Sequence, residues 1–378
     1  MRRFLIAGIL ALWPATAGAQ ASQFGVRGLG TPGRALSTRA AGSSGAFGMF
    51  DAESALNPAA VGGLAVMTAN FNATQSFRTA ENPAGSASLR DSRFPHVAFG
   101  GPVRGTPLTV GISYSTYANR DFTVATGDTV ELRDILVPVY DTLSSRGGLS
   151  DLRLAAAYRL QERSVVGGAL HVITGSNRLE SHRSFADSQY LPVLQSAELS
   201  YAGVGAAVGA IQQIGGGLWV AAIARSDGKV IVDRDSTRVS QVDLPYTVGL
   251  GVRMKLGPRL DVAGHGIFRT WSGANSDLLG SGGTGADNTF EAAIGGEYIG
   301  DPRRPYRRPI RLGVHYATLP FPLQPGLQPK EFGVSVGSGL RFAQDRAGVD
   351  LAVEHLWRSA GEFKDRAFVI SVGVGVRP

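Results

Sequence analysis

The chain has 378 residues, a formal net charge of +7 and no cysteine. Without thiols there is no disulfide framework, thiolate metal centre or thiol redox site, and no Lys/Arg run interleaved with aromatics points to nucleic acid. Glycine is the informative count: 51 residues, many of them inside alternating segments, where a strand tolerates glycine best if another backbone crowds its face.

Residues 1–21 read as a secretory signal peptide that is cleaved on export. Arg2 and Arg3 form its basic region, 4–13 its apolar core, and Ala17-Gly18-Ala19 or Ala19-Gln20-Ala21 its small-residue cleavage site. That core is far shorter than the ~20 residues of a spanning helix. No later stretch is long and apolar enough either, so a membrane-integral mature chain has to be a barrel. Residues 22–63 are rich in Gly, Ala, Ser and Arg with no period of two. Small residues with scattered polar groups suit a segment threaded through a confined space; a flexible surface arm is the alternative. Asp51 or Ser54 is placed to cap a short helix that Asn57-Pro58 would stop.

From Leu64 onward the sequence alternates, and successive side chains of a strand face opposite ways. The pattern predicts strands at 64–77, 93–101, 107–118, 150–160, 164–176, 197–213, 216–226, 243–256, 258–271, 288–300, 308–318, 330–342, 347–358 and 365–376. The last three are the clearest. Phe332, Val334 and Val336 oppose Gly333, Ser335 and Gly337, and Phe368, Ile370 and Val372 oppose Val369, Ser371 and Gly373. Periodicity alone allows a soluble sandwich, apolar face inward, or a membrane barrel, apolar face outward. Loop lengths choose between them. Connections 78–92, 119–149, 177–196, 227–242, 272–287 and 319–329 are long. They mostly alternate with short ones at 102–106, 161–163, 214–215, 257 and 343–346, which is the parity of an outer-membrane barrel. Connections 301–307 and 359–364 are intermediate and break the contrast. Tyr114, Tyr158, Tyr246, Phe268, Tyr298, Tyr316, Phe342 and Trp357 lie near strand ends, where interfacial aromatic girdles belong. Pro95 and the Gly167-Gly168 pair mark candidate strand irregularities.

Two stretches carry a family resemblance. Gly45-Ala46, then Asp51-Ala52-Glu53-Ser54-Ala55-Leu56-Asn57-Pro58-Ala59, resembles the N-terminal signature of FadL-type outer-membrane proteins. There a Gly-Ala pair, an acidic residue and an Asn-Pro-Ala triplet lie in a plug just before the first strand. Leu244-Pro245-Tyr246 and Arg269-Thr270-Trp271-Ser272 are similar to a strand pair of the same transporters. The resemblance implies a monomeric, plugged barrel that passes long-chain fatty acids or other hydrophobic compounds, with exit sideways into the bilayer beside a kinked strand. It makes Asp51, Asn57, Pro58 and Ala59 the hatch motif. Related barrels of the PorV kind, which act as secretion or assembly accessories, share a similar signature. The chain departs from the pattern in ending at Arg377-Pro378 rather than an aromatic residue, and in lacking a long apolar helical hairpin. The clearest apolar loop residues, and so the candidates for ligand capture, are Leu136, Val139, Tyr140, Leu191 and Leu194.

On the non-lipid face, charges recur four apart: Asp261/His265/Arg269, Asp350/Glu354/Arg358 and Arg311/His315. An Arg facing lipid near the midplane would cost about 2–4 kcal/mol, so these residues should point inward. His265, Arg269, Arg311, His315, Glu354 and Arg358 then either form a salt-bridged lumen that packs the hatch or receive a ligand carboxylate. Gly333-Val334-Ser335-Val336-Gly337 matches a nucleophile elbow in letters, but it lies inside an alternating strand rather than a strand–turn–helix. Gly203–Gly209 misses the dinucleotide spacing. Catalysis, metals and cofactors are therefore not expected. The expectation is an all-β, transmembrane antiparallel barrel (64–378) with an N-terminal plug (22–63), in the cell outer membrane. Its partners would be outer-membrane lipid and lipopolysaccharide, the barrel-assembly machinery and a hydrophobic ligand.

Overall fold

The computed structural model describes residues 22–280, 282–301 and 308–377, and the expected signal peptide lies outside them. Fourteen strands close into one antiparallel barrel. They are β1 (Thr68–Asn82), β2 (Gly85–Pro102), β3 (Leu108–Asn119), β4 (Ile135–Gln161), β5 (Ser164–Phe185), β6 (Val193–Gln213) and β7 (Leu218–Ser226), followed by β8 (Tyr246–Leu256), β9 (Leu260–Arg269), β10 (Thr289–Tyr298), β11 (Ile310–Thr318), β12 (Lys330–Phe342), β13 (Ala347–Ala360) and β14 (Phe363–Val376). Neighbours in sequence pair, and β14 returns to β1, from Lys364 opposite Glu81 to Val376 opposite Ala69. Closure leaves the membrane-level wall without a free sheet edge except at one notch described below.

The inverted pattern is realised. Ala352 and Glu354 of β13 are buried while Leu351 and Trp357 are exposed, and Leu312 and Ile294 are exposed beside buried Arg311 and Glu291. Large apolar side chains coat the outside, as a lipid-facing wall requires. The eight aromatics named above are all on that exposed surface.

Inside, residues 22–63 run through the lumen. Their secondary structure is sparse: a 3-10 turn Gln23–Gly25, a two-residue strand Thr31–Pro32, a one-turn helix Thr38–Ala41 capped by Ser37, and a 3-10 turn Pro58–Gly63. The helix expected between Asp51 and Asn57 is absent. Asn57 instead starts a turn, its Oδ1 accepting the Ala59 N–H at 3.0 Å, with Pro58 at the first position, where its missing N–H costs nothing. Inner-face glycines explain how the segment fits. A Cβ on Gly337 would lie 2.7 Å from the Gly42 Cα, one on Gly167 2.6 Å from the Pro58 carbonyl carbon, and one on Gly313 would be driven into the Ser43 carbonyl. Gly167-Gly168 is thus no irregularity. It sits in an unbroken ladder with Ala157-Ala156 and Gly209-Val208, and Gly167 leaves room for Pro58-Ala59.

The largest departure is at the end carrying the long connections. Most of the residues expected there as loop are strand. The β1–β2 link is a turn at 83–84. Strand β3 resumes as Phe122–Leu132 and stays paired with β4 up to a turn at Arg133-Asp134, both of positive φ. The 227–242 connection folds as a hairpin, Lys229–Arg234 with Thr237–Asp243, which leans on β6. Beyond the lipid no face need be apolar, so alternation fades although the ladder continues. This tall end is capped by a small core of Leu29, Val230, Val242, Leu244, Trp271 and Phe321, with Trp271 edge-on to Phe321 at 5.1 Å between centroids.

A luminal cavity and a notch in the wall

Between the luminal segment and the apolar cap lies a cavity of about 240 Å³. Its floor is Pro32, Gly33, Arg34 and Leu36, its roof Trp271, Leu319 and Pro320. A smaller void of about 90 Å³ lies across the same Pro32–Leu36 stretch, near Tyr117, Asp151 and Arg225.

The cavity reaches the wall at Asp91, Arg93, Pro95 and Thr116. There the ladder changes. β1 and β2 pair from Asn72 opposite His96 to Thr74 opposite Arg93, so β2 carries one extra residue across Phe94-Pro95, a bulge. Pairing of β2 with β3 stops at His96 opposite Ser115. Proline has no N–H to give the ladder, and this position tolerates it because the ladder ends there. Above the break, residues 85–95 pair with β1 alone, which leaves a notch between β2 and β3. Arg93 spans it, ion-paired with Asp91 on its own strand and Asp121 on the far side.

The inward charges form connected groups. Arg311 Nε donates to Glu297 at 2.6 Å and its Nη1 to Asp350 at 2.7 Å, while Arg39 reaches Glu297 from the luminal segment at 3.1 Å. Nearer the cavity, Arg34 lies 3.2 Å from Glu354 and 3.8 Å from Glu291, Arg269 donates to Glu291 at 3.0 Å, and Glu331 joins Arg358 and His315. For Arg34 burial acts to lower the pKa, but Glu354 and then Glu291 outweigh it and hold the guanidinium above its ordinary value. Burial, and then neighbouring Asp51, pushes the Glu53 carboxyl up.

Of the six predicted network residues, Arg269, Glu354 and Arg358 line the cavity; His265, Arg311 and His315 are buried outside it. Each of the three arginines already faces a carboxylate. Of the residues expected as the hatch motif, Asp51 Oδ2 accepts from Ser37 and Ser54 at 2.5 and 2.6 Å, while Asn57 Nδ2 donates to the Met49 carbonyl at 3.1 Å. Leu136, Tyr140, Leu191 and Leu194 stand exposed on the tall end, but Val139 is 1% exposed inside the β3–β4 hairpin and offers no capture surface. Ser335 lies mid-strand in β12 and accepts the Ser44 N–H at 2.5 Å, so the elbow-like letters are a contact to the luminal segment. Sequence reading missed Arg34 and Arg39, which sit in the non-periodic stretch. It also missed the Asp151–His171–Arg225 cluster, whose inward parity at 151 and 153 was the available signal.

The arrangement defines a closed antiparallel β-barrel of fourteen strands whose outer face is apolar. More particularly, the fold is that of the FadL-type barrels. The chain is similar to a FadL homologue of Pseudomonas aeruginosa (TM-score 0.64, 12% identity, 92% of this chain and 99% of that one). It is similar also to the CymD monoaromatic hydrocarbon channel (0.56, 15%, 93% and 99%) and to the toluene transporter TbuX of Ralstonia pickettii (0.54, 13%, 96% and 99%). By sequence, no family model and no curated protein matches the chain.

Proposed function

We propose that the chain is an outer-membrane uptake protein for hydrophobic small molecules such as long-chain fatty acids, moving them passively through a plugged barrel. The carrying observation is the cavity that lies between luminal segment and cap and runs to the notch beside Pro95. With the tall end outside, exposed apolar residues collect ligand, the cavity receives it, and residues 22–63 act as the hatch. The hydrocarbons named for CymD and TbuX fit a compact cavity. At about 240 Å³ it falls below the roughly 300–1,000 Å³ of ordinary small-molecule sites, so a long acyl chain requires the hatch to shift. A carboxylate head would have to displace Glu354 or Glu291 from Arg34. The protein would work as a monomer amid outer-membrane lipid and lipopolysaccharide, having been inserted by the barrel-assembly machinery.

Native mass spectrometry of barrel purified in mild detergent tests this. A stoichiometric hydrophobe that survives delipidation supports uptake; a barrel with no affinity for hydrophobes above the empty-membrane background overturns it. One observation favours a second reading, a non-transporting accessory barrel: outside the cavity, inward charges are paired with one another and with residues 22–63. Co-purification of an empty barrel with a protein partner would select that reading.

Capture makes a separate prediction. Leu191→Ser with Leu194→Ser removes two exposed apolar side chains, 84% and 69% accessible. Uptake at low ligand concentration should fall roughly threefold to tenfold, on the scale of about 1.4 kcal/mol per factor of ten. Thermal stability should hold within about 0.5 kcal/mol, as for other surface changes.

A further inference from the structure

The outer wall is not uniform at the tall end of β12, β13 and β14. Lys330, Ser359 and Lys364 stand opposite one another across these strands. One step down, Phe332, Trp357 and Arg366 form the next outward row; below it come Val334, His355 and Phe368, continued by Phe77 on β1 and Arg90 on β2. Lys330, Lys364, Arg366 and Arg90 are exposed, against two outward carboxylates in the same patch, Glu81 and Glu362. None of the four cations enters an ion pair among the described residues, whereas the inward neighbours Arg358 and Asp365 are taken up by Glu331 and Arg78. Beneath them a shallow apolar groove of about 590 Å³ starts at Val334, His355 and Phe368 and extends to Leu312 and Ile294. His355 lies 4.1 Å from Trp357 and edge-on to Phe368 at 5.0 Å between centroids, with no hydrogen-bond partner among the described residues. A ring N–H turned toward hydrocarbon is costly unless something there accepts it.

We propose that this face is a seat for lipid A, the bisphosphorylated, multiply acylated glucosamine lipid that anchors lipopolysaccharide. The three bands match its three parts in order. Lys330, Lys364 and Arg366 surround Ser359 and receive one phosphate through charge-assisted hydrogen bonds; Lys330 and Lys364 are two strand spacings apart, about 10 Å. Arg90, stacked over Phe77 at 5.7 Å, stands two strands beyond Arg366 for the second phosphate. His355 donates to a carbonyl where an acyl chain joins the sugar, and the chains lie along the groove. A soluble anion would have no use for the groove, and an uncharged lipid none for the cations. The seat rests on the outward placement of the tall end in the function proposed above, which puts these residues in the outer leaflet. It does not depend on transport.

Titration of the delipidated barrel in detergent with purified lipid A, read by native mass spectrometry, tests the seat. The parent should take up one equivalent and bind dephosphorylated lipid A, or phosphatidylglycerol, about tenfold more weakly or worse. Lys364→Gln with Arg366→Gln should weaken lipid A binding about tenfold or more. His355→Leu, which keeps every charge, should weaken it roughly threefold. Arg133→Gln with Arg238→Gln removes two exposed cations from the raised hairpins and should change nothing. An unchanged affinity in the first variant, an equal loss in that control, or phosphatidylglycerol bound as tightly as lipid A overturns the proposal. Should the first variant lose normal heat-modifiable migration, the comparison of lipids on the parent barrel decides. A barrel that prefers lipid A but takes up no hydrophobe refutes the proposed function alone; one that takes up hydrophobes without that preference refutes the seat alone.

Discussion

Gly313→Ala is expected to yield a barrel that forms but no longer holds residues 22–63. The added methyl on β11 meets the Ser43 carbonyl oxygen and carbon, which belong to backbone and cannot rotate away. Neither side can yield cheaply: β11 is hydrogen-bonded on both flanks, and Ser43 lies beside the Thr38–Ala41 turn, its hydroxyl donating to the Ala40 carbonyl at 2.9 Å. Overpacking of this kind costs about 1–3 kcal/mol, more where backbone must move. The barrel ladder alone does not contain Ser43, so the strain is relieved by expelling the segment. Limited proteolysis should then cut within 22–63 while the heat-modifiable barrel band survives. Gly216→Ala, with nothing within 4 Å of the added methyl, is the matched control. Equal protease resistance in the two variants would refute the account of the inner-face glycines.

Arg311→Ala should produce the largest loss of barrel stability among the charge substitutions. Arg311 is 3% exposed and serves two carboxylates, Glu297 and Asp350, which keep, among the described residues, Arg39 at 3.1 Å and Arg341 at 3.5 Å. Stranding buried charge costs about 3–5 kcal/mol, and the remaining partners place the expected loss near the low end. Removing the stranded charges as well, with Arg311→Met, Glu297→Gln and Asp350→Asn together, should recover most of it. Arg269→Ala is the contrast. Its side chain is half-buried, and Glu291 retains Arg34, so about 1 kcal/mol or less is expected. Urea unfolding of the three variants in one detergent measures the order; a loss for Arg269→Ala matching Arg311→Ala would contradict it.

The wall was legible in the sequence because lipid imposes a rule on every second residue. All fourteen expected strands have a counterpart, and from β12 onward the boundaries agree to within two residues. Inward assignment of Asp261, His265, Arg311 and Glu354 followed from the same rule. Pairing inside the lumen did not, since it depends on register between strands and on a segment with no period. Arg311 meets Glu297 directly across the β10–β11 ladder but reaches Asp350 two strands away, and Glu354 meets Arg34, some 320 residues earlier in the chain. Pro95 announced a break without saying which neighbour is lost. Val139 shows the limit in the other direction: an apolar run outside the membrane level packs into its own hairpin instead of facing ligand.

The raised hairpins also give the molecule an uneven profile. β4 runs 27 residues, about 90 Å of strand at ~3.4 Å per residue, against the roughly 9–11 residues a tilted strand needs to cross a bilayer. β10 and β11 opposite it have 10 and 9 residues. With the tall end outside, as in the proposed function, such a shape would be a spout in a lipopolysaccharide-covered membrane. One lip would then rise out of the sugar layer while the other stayed submerged in it. An antibody or phage arriving from solution would meet the Arg133-Asp134 turn long before the pore. A water-shy molecule, by contrast, would find a standing sheet of Leu136 and Tyr140 to adsorb on and a route through the saccharide that the bare lipid does not offer.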